Sequence, residues 1–273
     1  MSNTLGYENK NIVITGAASG MGKAAAKKLV DLGANVYALD IAPVEVPVKA
    51  VIKVDMKDVA MLDAAVSELP DEIYALFNCA GVPSPPFSAP DTIMINFAGL
   101  RYLTELLLPR IPKGGAIASI ASTAGMGWKA KLGSVREFLA LDNSLDTAAQ
   151  WIADHPEESA DGYGFSKQCI IVYTMTRAGE LAKQGIRINS ISPSPTASAF
   201  MDILKGEGQM PDEAIDLFLP SNGVYATGED MGNPLVLLNS QMAGFVSGVN
   251  LAVDFGYCAE VAMGQRDNLL NIS

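Results

Sequence analysis

Residues 11–22 read NIVITGAASGMG. Five residues of strand character, Asn11–Thr15, run without a break into Gly16. Glycines 16, 20 and 22 then open a segment rich in Ala, Lys and Leu, whose periodicity is helical over Met21–Leu32. A strand that empties through glycines into a helix N-terminus makes a seat for an anion: the first-turn amides are unpaired and point outward, and absent Cβ atoms let a phosphate approach the main chain. A glycine triplet alone is weak evidence. Its position between a first strand and a first helix makes it informative. Gly16, Ser19, Gly20, Met21 and Gly22 are therefore candidates for a pyrophosphate loop, against the plainer reading of an ordinary glycine-rich turn.

Outward from that stretch, strands and helices alternate. Strands are expected at Val36–Leu39, Val51–Val54, Ile73–Asn78, Ala116–Ile120, Arg187–Ile191 and Val249–Val253. Helices are expected at Val59–Leu69, Ile93–Leu108, Tyr163–Lys183 and Met231–Leu238. Such alternation implies βαβ units. The expected architecture is an α/β Rossmann fold of one domain over residues 1–273, a doubly wound parallel sheet of about seven strands. Two segments break the pattern. Pro43 and Pro47 forbid a regular crossover helix between the second and third strands. Residues 126–161 are inserted ahead of the helix that begins at Tyr163, with helical patterns at Ser134–Leu141 and Ser144–Asp154 and an acidic second half.

Composition narrows the function. The chain has 273 residues, 49% hydrophobic and 18% charged, and a net charge of −11. That balance argues against nucleic acid and against anionic membrane surfaces as partners. The acid is concentrated after Ser198, where ten acidic residues face only Lys205 and Arg266. Cys79, Cys169 and Cys258 form no CxxC, and the single His155 cannot complete a metal cluster with them, so neither a disulfide framework nor a metal site is expected. The opening MSNTLGYENKN has no basic region followed by an apolar run, and the longest uncharged stretch, 232–253, is broken by polar residues and a proline. A cytoplasmic, reducing setting follows as the expectation.

Two further features carry chemistry. Asp40 closes the second strand, where a carboxylate can accept hydrogen bonds from adenosine ribose hydroxyls and would repel a 2′-phosphate. This favours NAD(H) over NADP(H); a solvated strand-end aspartate is the bland alternative. Asp55 ends the third strand and either faces an adenine or shares with Asp58 a helix-capping role. Tyr163 and Lys167, in YGFSK, stand at i and i+4 and share a helix face. A nearby ammonium lowers a phenol's pKa and makes it a usable acid or base. Taken alone, the pair reads more readily as a half-buried aromatic beside a solvated lysine.

The pair does not stand alone. Thr15–Gly22 as TGxxxGxG, Asn78-Cys79-Ala80-Gly81 after a strand, Asn96 on a helix, Ser122 after a strand, the Tyr163/Lys167 pair, and Asn189 to Pro193 follow in order. This set resembles the short-chain dehydrogenase/reductase family, standard subgroup, over essentially the whole chain. The proline-rich second crossover and the long interval from Ser122 to Tyr163 resemble the branch that holds bacterial 3α-hydroxysteroid dehydrogenase/carbonyl reductase and coniferyl-alcohol dehydrogenase.

The resemblance implies an NAD-dependent oxidoreductase interconverting an alcohol and its ketone. Tyr163 would be the general acid/base. Lys167 would hold the nicotinamide ribose, Ser122 would bond the substrate oxygen, and Asn96 would order a relay water. Besides the glycine loop, it implies cofactor contacts at Asp40, Ile41, Asp55, Met56, Asn78, Ala80, Gly81, Tyr163, Lys167, Pro193, Pro195, Thr196 and Ser198. Ser194 and Phe255 replace usual glycines, so the nicotinamide loop could be set differently. Substrate-pocket candidates are Ser122, Thr123, Trp128, Tyr163, Phe200 and Met201, with a lid over 198–220. Its apolar residues (Ile203, Leu204, Met210, Ile215, Leu217, Phe218 and Leu219) and those of the insertion (Met126, Trp128 and Trp151) either line an adaptable pocket or simply pack on the core. The lid acids Glu207, Asp212, Glu213 and Asp216 should face solvent. The expected substrate is a neutral, hydrophobic, cyclic secondary alcohol, steroid- or terpenoid-like. An aromatic alcohol of coniferyl type is the alternative, and a non-catalytic NAD-binding regulator is the reading from another class. A homodimer or homotetramer is expected, with the insertion covering the helix face through which the family commonly pairs and a second face near the last strand available.

Overall fold

A computed structural model describes residues 4–206 and 211–272. Seven parallel strands form one sheet: β1 (Asn11–Thr15), β2 (Asn35–Asp40), β3 (Ala50–Lys53), β4 (Ala75–Asn78), β5 (Ala116–Ile120), β6 (Arg187–Pro193) and β7 (Asn250–Val253). Their spatial order is β3-β2-β1-β4-β5-β6-β7. The order reverses direction between β1 and β4. A ligand crevice belongs there, beyond the carboxyl ends of the strands. Strands β4, β5 and β6 are buried along their whole length, as expected when helices cover both faces of a parallel sheet.

One sheet face packs on α1 (Gly20–Asp31) and α10 (Gly228–Asn239), with Ile12, Ile14, Leu29, Phe77 and Leu235 in the shared core. The other face packs on α2 (Val59–Glu68), α3 (Ala89–Ile93), α4 (Gly99–Leu107) and α7 (Gly162–Lys183). As the prolines require, residues 41–49 contain no helix. The helix expected at Ile93–Leu108 begins earlier, at Ala89, because Ser88 caps it: the Ser88 hydroxyl accepts from the Asp91 amide at 3.1 Å. Between α3 and α4 the chain makes a π-helical turn, Met94–Ala98, which contains Asn96. The insertion folds as α5 (Leu132–Ala140) and α6 (Leu145–Asp154).

Those two helices lie against α7 and the π turn. Phe138 sits 5.9 Å from Phe97, 5.7 Å from Phe165 and 4.9 Å from Trp151, ring centre to ring centre. Trp151 also stacks on Phe165 at 5.6 Å and on His155 at 4.2 Å. All but His155 are core residues. Burying each large aromatic contributes roughly 1.5–3 kcal/mol, so the segment is a fixed wall. Trp151, considered for the substrate pocket, is a core residue because the face of α7 needs an aromatic cover. Beyond the lid's first helix, α8 (Ala199–Lys205), come α9 (Asp212–Asp216) and, near the C-terminus, α11 (Tyr257–Ala262). No helix among the described residues is long and apolar enough to cross a membrane.

Candidate active site

The crevice at the reversal point is a cavity of about 380 Å³. Gly16, Ser19, Gly20, Met21 and Gly22 floor one end, and Asp40, Ile41, Asp55 and Met56 line the far side. Ala80 and Gly81 from the β4 end, with Tyr163, Lys167 and Ser198, complete it. The glycines are required by close approach. Gly16 has φ +71°, and a Cβ there would lie 2.6 Å from the Ala80 amide nitrogen; a Cβ on Gly22 would lie 2.0 Å from the Gly16 carbonyl. The Asp40 carboxylate accepts from the Ala18 amide at 2.8 Å and the Ala42 amide at 2.9 Å, so it ties β2 to the glycine loop. Asp58, not Asp55, caps α2; the Asp55 carboxylate accepts from the Lys57 amide at 3.1 Å in its own turn and still borders the cavity.

A second cavity, of about 300 Å³, adjoins the first. Met21, Tyr163, Ser198 and Phe200 border both. Ser122, Thr123, Phe200 and Met201 line the second, as do Pro193, Pro195 and Thr196, which the sequence reading placed on the cofactor. Tyr163 therefore stands where the two spaces meet, with the Phe200 ring 5.5 Å from its own. Further lid residues, Leu204, Ile215 and Phe218, join the wall. Glu207 and Met210 lie outside the described residues.

Three expectations need correction. Asn78 borders neither cavity. It is buried behind the β4 end, where its amide nitrogen bonds the Thr104 and Ser119 hydroxyls at 3.1 and 3.3 Å. Trp128 is also absent from both walls and packs partly buried against the core, with the Lys129 ammonium 5.9 Å from its ring. The insertion's helices do not close the pocket. The remaining wall comes from the C-terminus, where Leu270 borders the second cavity. A Cβ on Gly127 would lie 2.1 Å from the Leu270 carbonyl, so the tail presses on a glycine. Arg266 holds that tail: its guanidinium donates to the Leu217 and Leu219 carbonyls, pairs with Glu260 at 3.3 Å and covers the Tyr257 ring. Nothing in the sequence periodicity of the last residues signalled this.

Ser194 needs no glycine-like conformation. Among the described residues, Phe255 is the replaced glycine that retains positive φ, at +50°. Ser198 caps α8, accepting from the Met201 amide at 3.4 Å while donating to the Thr196 carbonyl at 3.1 Å.

Electrostatics are set by burial. Lys167 is buried and donates to the Ile120 carbonyl at 2.9 Å. Burial pushes its pKa down to about 8. Burial also pushes the Tyr163 phenol up to about 12; the hydrogen bond with Ser122 pulls it down, and the Asp161 charge raises it. This reverses the lowered phenol expected from a nearby ammonium: Lys167 is itself desolvated, and its Nζ lies 5.6 Å from the ring centre. The Asn96 side chain is spent on structure. It accepts from the Val82 amide at 2.7 Å and donates to the Val82 carbonyl at 3.0 Å, pinning the loop after β4. Its neighbour Gly81 lies between it and Lys167: a Cβ there would be 3.2 Å from the Asn96 side-chain oxygen and 3.6 Å from the ammonium. Among the described residues no cluster of His, Cys, Asp and Glu could hold a metal, and the three cysteines are free.

Residues 10–132 match a family model described as short chain dehydrogenase, and residues 147–258 one described as enoyl-(acyl carrier protein) reductase. A coniferyl-alcohol dehydrogenase from Pseudomonas sp. strain HR199 is 29% identical over 91% of this chain and 96% of its own length. A 3-alpha-hydroxysteroid dehydrogenase/carbonyl reductase from Comamonas testosteroni is 26% identical over 90% of this chain and 95% of its own. Among solved structures, the 3-alpha-hydroxysteroid dehydrogenase of Pseudomonas sp. B-0831, complexed with NADH, superposes with a TM-score of 0.79 at 22% identity, covering 93% of this chain and 98% of that one.

Proposed function

The chain belongs to the short-chain dehydrogenase/reductase family, and from that premise we propose that it is an NAD(H)-dependent oxidoreductase interconverting a neutral, hydrophobic secondary alcohol and its ketone. The observation that carries the reading is the position of Tyr163 at the meeting of the two cavities, with Ser122 on the second and Lys167 on the first. The glycine loop, whose Cβ-free surface suits a pyrophosphate, and the Asp40 carboxylate, which suits an unphosphorylated ribose, support NAD as the cofactor. The nicotinamide would supply the hydride acceptor or donor. Tyr163 moves the proton at the substrate oxygen, and Ser122 bonds the same oxygen and stabilises its charge. Lys167, Gly81 and Ala80 would hold the nicotinamide half of the cofactor. Asn96 positions them by fixing the Val82 loop.

The substrate reading rests on the second cavity. Phe200, Met201, Leu204, Ile215, Phe218 and Leu270 make its apolar wall, and among the described residues no Lys or Arg borders it. Lys205 pairs instead with Asp212 at 2.9 Å and covers the Tyr225 ring at 4.5 Å. A cyclic, steroid- or terpenoid-like alcohol is favoured; the aromatic alcohol of coniferyl type is supported by Phe200 and Phe218 and by the coniferyl-alcohol dehydrogenase relative. NADH formation with a panel of steroid, terpenoid and aromatic alcohols tests the activity, and no turnover with any class would overturn it. We place the enzyme in the cytoplasm, where free thiols persist. We also infer a homo-oligomer that pairs near β7, where Phe255, Phe245 and Met242 are exposed, since α5 and α6 pack on α7 at Phe165. Light scattering should give a dimer or larger; a monomer would refute it.

A further inference from the structure

Among the described residues, one charged side chain lines the second cavity, that of Asp161. It comes from the last residue of the inserted segment and caps α7, two positions before Tyr163. One carboxylate oxygen is engaged: Oδ1 accepts from the Gly164 amide at 2.9 Å. The other, Oδ2, has no hydrogen-bond donor among the described residues, and Asp161 is an exposed residue that borders the cavity. The capping bond fixes which oxygen faces the amide and leaves the other without a protein donor among the described residues. Glycine at 164 also matters, since a Cβ there would lie 2.1 Å from Oδ2. A side chain at that position would evict the carboxylate from its place. The described wall offers hydroxyl residues, Ser84, Ser122, Thr123, Ser194, Thr196 and Ser198 besides Tyr163, but among the described residues no cation to neutralise the charge.

An acceptor with an open lone pair, fixed by its capping bond on the wall of a cavity whose other described lining residues are uncharged, discriminates between ligands that donate to it and ligands that do not. We propose that Asp161 is a specificity-determining residue that accepts a hydrogen bond from a second hydroxyl on the substrate, so that the enzyme's substrates are hydrophobic diols or hydroxyketones. This rests on the alcohol-oxidising reading of the site and sharpens its substrate class. The oxidised or reduced oxygen sits at Tyr163 and Ser122. The second hydroxyl lies toward the N-terminus of α7. A carboxylated substrate would meet Oδ2 with like charge and an unpaired acceptor.

The probes are cyclohexanol, the 1,2-, 1,3- and 1,4-cyclohexanediols and the monomethyl ethers of those diols. An ether is close to its diol in shape and can accept but not donate at the methylated oxygen. With the unmutated enzyme, the best diol should exceed its own ether in kcat/KM by about tenfold or more, chiefly through KM. In Asp161→Asn the capping bond keeps the amide oxygen toward Gly164, which turns the amide nitrogen, a donor, into the cavity. The cap is retained, so the fold is too. The diol-to-ether ratio should then fall to one or below. A merely structural role for Asp161 would lower both substrates together and leave the ratio alone. Calorimetric binding of the same diol and ether to the NADH-loaded protein reads the preference without turnover. Equal handling of diol and ether by the unmutated enzyme, failure of every diol to bind, or an unchanged ratio in Asp161→Asn overturns the assignment. Diol binding without oxidation of any probe would leave Asp161 standing and sink the alcohol-dehydrogenase reading instead.

Discussion

Replacing Lys167 with methionine should change the stability of the cofactor-free protein in a pH-dependent way. The ammonium is buried, and its hydrogen-bond partner is a carbonyl, Ile120 O at 2.9 Å; no carboxylate among the described residues pairs with it. Burial moves its pKa from 10.5 to about 8. In the unfolded chain the lysine keeps its proton up to about 10.5, whereas in the folded protein it releases it near 8. Between those values the unfolded state binds more protons, so stability rises with pH across the window. Below about 8 both states are charged, and the folded protein carries the full penalty, about 3 kcal/mol. Methionine has similar length and no charge. It removes the penalty but leaves the Ile120 carbonyl unpaired, at about 1–3 kcal/mol. At neutral pH the two effects offset each other to within about 2 kcal/mol.

The pH dependence separates them, because the cost at the carbonyl does not titrate. Urea unfolding of both proteins, without cofactor and at equal concentration, gives the difference, unmutated minus Lys167→Met. That difference should rise by about 2–3 kcal/mol from about pH 7 to about pH 10. Tyr163, pushed up to about 12, titrates above the window and cancels. A flat difference would mean that the ammonium is solvated in the folded protein. A difference that falls with pH would mean that an anion pairs with it. Either result refutes the reasoning from burial.

Tyr163→Phe should lose turnover by roughly 10²–10⁴-fold while binding NADH with unchanged affinity in a fluorescence titration, since the ring still meets Phe200; a loss under about tenfold would reject the proton-transfer role. Asp40→Asn should lower the NAD-to-NADP ratio of kcat/KM by about tenfold or more, because it removes the charge that repels a 2′-phosphate, and an unmutated enzyme that prefers NADPH would contradict the reading at once. Gly127→Ala should displace the C-terminal tail, lowering Tm by a few degrees, roughly 1–2 kcal/mol, and exposing residues near Leu270 to limited proteolysis; unchanged Tm and cleavage would mean that the tail does not press there.

The fold could be read because its signals are local. The run from Asn11 into Gly16 fixes one strand, one turn and one helix N-terminus. The expected β1 and β5 strands coincide residue for residue with those formed, and both inserted helices appear within two residues of their patterns. Ser88 and Asp91 carried a capping signal that would have placed the start of α3, had the two been weighed together. What stayed illegible was tertiary. A sequence says that Trp128 and Trp151 are apolar and not which of two apolar environments they enter. Trp151 goes to the core because Phe97, Phe165 and Phe138 leave a ring-sized place on α7, and that is visible only when three elements meet. Leu270 reaches the cavity through a tail with no periodicity. The raised Tyr163 pKa also depends on burial, which the i,i+4 spacing cannot report.

Helix α7 shows why the buried lysine can persist. Asp161 fixes its first turn, the aromatic cluster of the inserted segment packs on Phe165 in that same turn, and β6 and the turn after Ser122 pack against the helix. Each contact removes freedom from the Tyr163 and Lys167 side chains, and together they provide apolar burial well above the few kcal/mol that an unpaired ammonium costs. The inserted segment thus acts twice on one end of the helix: its aromatics pack on Phe165 in the first turn, and its last residue, Asp161, caps that turn two positions before Tyr163.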